Sequence, residues 1–110
     1  MDSILTSIKK LLGITEEYEH FDQDIIIHIN SVFMILTQMG VGPEDGFVIK
    51  DSTATWNDFT NDNRNIESVK TYMYLKVKLL FDPPASSSVM EAINRSINEI
   101  EWRLNFAVDK

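Results

Sequence analysis

Along most of this chain apolar residues recur three or four positions apart, the spacing of helices that bury one face. Ile4, Leu5, Ile8, Leu11 and Leu12 fall on one stripe, which predicts a helix over about Ser3–Leu12 with Gly13 as its C′ residue. The acidic connector ITEEYEHFD follows, with Ile14, Tyr18 and Phe21 as its anchors. A second helix is predicted over about Asp22–Met39 and ends at Gly40. Ile25, Ile29, Val32, Leu36 and Met39 step by 4, 3, 4 and 3, the pattern of a helix–helix seam. Ile26, Ile27, Phe33 and Met34 widen its apolar surface well beyond one stripe. Such a helix is central to its own domain or packs on a second subunit. Three successive isoleucines would also suit a strand, but the length and the sustained period favour helix.

Residues 40–60, GVGPEDGFVIKDSTATWNDFT, break the helical period with three glycines and a proline within seven residues. Phe47, Val48 and Ile49 are the place where the pattern permits a short extended piece. Thr55 and Asp58 stand as a capping box with Asp in place of Glu, and predict one helical turn carrying Trp56 and Phe59. A loop of this length between helices tends to be functional, so partner contacts are expected here.

The helical period resumes near Asn65 and runs to Phe81, with Ile66, Val69, Met73, Val77 and Leu80 on one stripe. Tyr72 and Leu79 flank that stripe, while Lys70, Tyr74 and Lys78 share another face. Asp82 precedes Pro83-Pro84, which forbid continuation. A last helix is predicted from Ser88, which forms an S-x-x-E capping box with Glu91. Val89, Ile93, Ile97, Ile100, Leu104 and Ala107 make its apolar stripe. The expected architecture is all-α: one domain over residues 1–110, four helices, the last two long, and an irregular insertion between the second and third that could hold a short β piece.

Composition narrows the function more than the fold. The chain has 110 residues, 44% of them hydrophobic, which is enough for one core and argues against disorder. It has no cysteine, which excludes disulfides, thiolate metal sites and a Cys nucleophile. Lys9 and Lys10 interrupt the first apolar stretch, so it reads as an amphipathic helix rather than a signal peptide. With no run long enough for a membrane span, a soluble cytoplasmic protein is expected. Residues 1–60 hold three lysines against ten acidic residues, whereas residues 61–110 hold seven basic and seven acidic ones. The net charge is −7, and no basic footprint for phosphate stands out. The surface is therefore a solvated one, or one that DNA passes without sticking.

Candidate chemistry is sparse. Asp24 and His28 lie at i, i+4, but two side chains fall short of the three protein ligands of a catalytic zinc, so a local salt bridge or hydrogen bond is expected there. NDNRNIE starts like a calcium loop, yet Ile66 stands where glycine is required. The sequon Asn94-Arg95-Ser96 falls inside a predicted helix. Glu99 and Glu101 point to different sides of theirs. No phosphate loop and no Ser–His–acid set is suggested, so no catalytic residue, cofactor or metal is expected. Five aromatics stand out as interface candidates: Phe47, Trp56, Phe59, Tyr74 and Trp102. The alternative for Phe47, Trp56 and Phe59 is that they close the core with Phe33 beneath the long loop. Trp102 lies off the apolar stripe and is expected to be partly exposed.

The order of these motifs carries a resemblance. Gly40-Val41-Gly42-Pro43, Gly46-Phe47, Thr55-Trp56-x-Asp58-Phe59 and Val69-Lys70-Thr71-Tyr72 come in succession. Lys76 to Pro84 (KVKLLFDPP) follows, and then Glu99-x-Glu101-Trp102-Arg103-Leu104-Asn105. From about Ile4 onward the chain resembles the small head–tail connector, or head-completion, proteins of tailed bacteriophages and prophages, also labelled DNA-packaging proteins.

The resemblance implies a structural virion protein at the head–tail interface, present in the bacterial cytoplasm during assembly, with no enzymatic activity and no cofactor. It implies self-association as a dodecamer-like ring on the phage portal protein and docking of a downstream neck or tail-completion protein. Packaged DNA would pass through the channel without specific binding, and no membrane is involved. After Leu104 the sequence gives only NFAVDK. The 40–60 loop is thus the better candidate for portal contact than a C-terminal tail. A second reading from the residues is a small acidic helical adaptor or regulator of one protein partner. A helix-turn-helix DNA binder is disfavoured because no basic recognition helix is present.

Overall fold

A computed structural model describes residues 3–60 and 65–108, with side chains to residue 106. Among the described residues five helices follow in order: α1 (Ile4–Leu11), α2 (Asp22–Gln38), α3 (Trp56–Phe59), α4 (Ile66–Phe81) and α5 (Ser87–Val108). These are the four expected helices and the one-turn helix of the insertion. The stops lie where the glycines and prolines put them. After α2, Gly40 N–H donates to the Thr37 carbonyl at 3.0 Å and Val41 N–H to that of Leu36 at 2.9 Å. This is the Schellman pattern, and Gly13 and Ile14 repeat it after α1. α4 ends at Phe81, ahead of the two prolines.

Two boundaries differ from expectation. α5 begins one residue earlier, because Ser86 rather than Ser88 caps it: Ser86 Oγ accepts the Val89 N–H at 3.4 Å and its carbonyl accepts that of Met90 at 3.0 Å. Glu91 faces Arg95 instead of closing a box. Residues 47–49 form no strand. The Asn30 side chain takes the place of a neighbouring strand there. Its Oδ1 accepts the Ile49 N–H at 2.8 Å, and its Nδ2 donates to the Ile49 carbonyl at 3.0 Å. Both backbone groups of a buried residue are thereby satisfied without a sheet. Asn30→Asp keeps the acceptor but loses the donor and sets a charge against a carbonyl. It should cost about 1–3 kcal/mol, read as a lower unfolding midpoint and faster proteolysis within 40–55.

The core is one cluster built on α2 and α4, with α1, α3 and α5 packed around them. Ile25, Ile29, Val32 and Leu36 of α2 meet Val69, Met73 and Val77 of α4, all of them buried. Each such burial contributes about 1.5–3 kcal/mol relative to exposure. α3 is tied to the start of α1: Ile4 N–H donates to the Ala54 carbonyl at 3.0 Å, and Ser3 and Thr55 form an isolated antiparallel bridge.

α5 is held differently. It has 22 residues, which span about 33 Å, yet Ile97 and Leu104 are the buried ones among its described side chains. α4 lies between α2 and α5.

A polar link supplements that seam, to which the half-buried Ile93 and Ile100 also contribute. Tyr72 is fully buried on α4, and its hydroxyl donates to Glu101 Oε2 on α5 at 2.7 Å. Burial, with the nearby carboxylate adding to it, pushes the phenol well above its ordinary value near 10. A raised folded-state value favours the protonated form. Its contribution is therefore complete below pH about 10, and is lost as pH rises past that toward the folded value. Tyr72→Phe should cost about 1–2 kcal/mol at neutral pH, since the half-buried Glu101 can rehydrate. Its stability should also fall less steeply than that of the parent above pH about 10, in unfolding curves at graded pH.

Candidate interaction surfaces

The five sequence-predicted aromatics divide cleanly. Trp56 and Phe59 are 4% and 2% exposed, so in this fold they are core residues, as the alternative reading had it. The Thr55–Asp58 capping box sets their turn: Thr55 Oγ1 accepts the Asp58 N–H at 3.3 Å, and Asp58 Oδ2 accepts that of Thr55 at 2.8 Å. Trp56 Nε1 donates to Ser7 Oγ on α1 at 3.0 Å. Phe59 lies 4.9 Å from Phe33 and 5.5 Å from Phe47, ring centre to ring centre. Gly42 passes directly over the Phe59 ring with φ +88°, and a Cβ there would fall on the ring edge. That close approach and the left-handed backbone both require glycine. Phe47 is half-buried over Phe33, and Tyr74 is half-buried on α4. Trp102 is 67% exposed on α5 and stacks on Phe106 at 5.6 Å with the rings 9° apart.

The histidines carry no site. No hydrogen bond or ion pair joins Asp24 to His28; the His28 ring lies 6.5 Å from that of Phe81 instead. Four residues of NDNRNIE, 61–64, fall outside the described residues. Among the described residues no group of three or more His, Asp or Glu could hold a metal, and no helix is long and apolar enough to cross a membrane.

The structure adds two features, the first on surfaces the sequence had marked for contacts and the second unannounced. One is a groove of 560 Å³ along the outer face of α2, walled by Ile27, Met34, Phe47 and Val48 with Asp45 at its rim. Ile27, Met34 and Val48 are 61%, 63% and 63% exposed, a concentration of large apolar side chains that marks interaction surfaces. Its signal in the sequence was the excess apolar width of the second helix. The other is Lys9, buried against the acidic connector. Its Nζ donates to the carbonyls of Glu16 at 3.0 Å and Tyr18 at 2.8 Å, and stands 2.8 Å from Asp22 Oδ1. That carboxylate oxygen is buried and takes no conventional hydrogen bond, so the ion pair alone compensates it.

The molecule thus offers apolar surface on two outward helix faces. In a comparison with family models, the model for phage connector proteins matches residues 4–110. The chain belongs to the phage connector protein family. No curated protein and no solved structure matches it at a significant level. The family is a structural one, with a head–tail connector role, rather than a family of enzymes.

Proposed function

We propose that this connector assembles as a ring below the phage portal, completes the head, extends the DNA channel and presents the surface on which neck and tail proteins dock. One observation carries the reading beyond family membership: α5 is the longest helix, yet two of its described side chains are buried while Trp102 stands exposed on its outer face. Ile93, Ile97, Ile100 and Leu104 seat α5 along one face, and the exposed Trp102 face gains from a neighbour. The net charge of −7 supports passage of DNA, since an acidic wall does not hold phosphate. In this reading the virion is the site of action, and the subunit reaches it from the host cytoplasm.

The test is association with heads. Purified protein mixed with DNA-filled, portal-bearing heads that lack it should co-sediment with them and reduce DNA leakage, and should not retain duplex DNA at low salt. Failure to bind heads, with a defined complex of one other protein instead, would return the adaptor reading.

A further inference from the structure

We infer that the Trp102–Phe106 ridge of one copy seats in the α2 groove of the next, making a head-to-tail contact through which the chain closes a ring. The inference rests on the ring reading above and names the two surfaces of its subunit contact.

Position comes first. Ile97 and Leu104 turn toward α4 and are buried; Trp102, two residues from Leu104, lies about 200° around the helix from it. Ile27 is flanked at the same spacing by buried Ile25 and Ile29 on α2. With α4 packed against both α2 and α5, the ridge on α5 and the groove on α2 are separate outward surfaces on different helices. Two different surfaces of a subunit, each fitting the other, make heterologous contacts, which close into rings when the rotation allows.

Shape comes next. The groove, at 560 Å³, falls within the range of about 300–1,000 Å³ that takes drug-sized ligands, which is ample for large aromatic side chains. The two near-parallel rings form a stiff slab, and tryptophan is a favoured anchor in such pockets.

Charge completes the match. Copies bearing −7 repel one another unless the contact offsets it. Asp45 stands at the groove rim, and Arg103 adjoins Trp102. Arg103 is held by an exposed i, i+4 pair with Glu99 at 2.7 Å, a weak attachment. It is therefore available to the neighbour's Asp45.

The absence of cysteine makes the test direct. Ser31 lines the groove and Asn105 adjoins the ridge, and both are exposed. Phage particles whose sole source of the chain is the Ser31→Cys/Asn105→Cys variant should, on treatment with a short bismaleimide, give a ladder of multimers ending in one closed species. Either single variant should stay monomeric. Trp102→Ala and Met34→Asp should each lower incorporation into particles about ten-fold or more, with the unfolding curve of the soluble variant unchanged. The inference is overturned if the chain in the particles stays monomeric, if Asn105→Cys alone cross-links into dimers, or if Trp102→Ala is incorporated normally. Absence of the unmodified chain from particles would instead overturn the ring reading itself.

Discussion

Phe59→Ala should lower the unfolding free energy by about 3–5 kcal/mol and the thermal midpoint by roughly 15–30 °C. Phe59 is buried among Phe33, Phe47 and the Gly42 backbone. Truncating it leaves a cavity roofed by a turn that cannot collapse freely, because Asn30 pins the same loop at Ile49. Trp56→Ser should act alike, with the added loss of the hydrogen bond to Ser7. Both effects should appear in the isolated protein by circular dichroism. Unfolding curves close to those of the parent, with assembly alone impaired, would mean that these rings meet a partner rather than the core.

The second large effect is expected at Lys9. Lys9→Ala removes three contacts of one ammonium and leaves the Asp22 carboxylate and two connector carbonyls without that donor. Loss of one partner of a buried pair costs about 3–5 kcal/mol. The Asp22 side chain is 22% exposed, so water recovers part of this and about 2–4 kcal/mol is expected. Lys9→Met keeps the apolar stem and should lose nearly as much, which separates the ammonium from packing. Residues 14–21 should also become the first site of limited proteolysis. A change below about 0.5 kcal/mol, the usual size of a surface effect, would mean that Ile14 and Phe21 hold the connector alone.

Helix placement was legible because its signals are local. Gly40 after Met39, the box of Thr55 and Asp58, and the double proline after Asp82 each act within four residues of where they stand. The Ser88 cap failed for an equally local reason: three serines in a row offer alternative caps, and the hydroxyl that reaches an amide is that of Ser86. What stayed hidden depends on distance along the chain. Asn30 bonds to a backbone nineteen residues away, and Lys9 to the carbonyls of a connector with no periodicity. Nothing in a helical repeat announces either one. Periodicity shows that a side chain wants cover but not what covers it. Periodicity left Trp56 open between core and interface, and put Met34 on a helix apolar on most sides; the fold buries the first and turns the second outward, while Trp102, off its stripe, is exposed as expected.

The most direct test of the connector account is electron microscopy of lysates from the parent phage with this reading frame deleted. The account predicts heads and complete tails that fail to join, with DNA leaking from the heads. Normal, infectious virions in that lysate would contradict it.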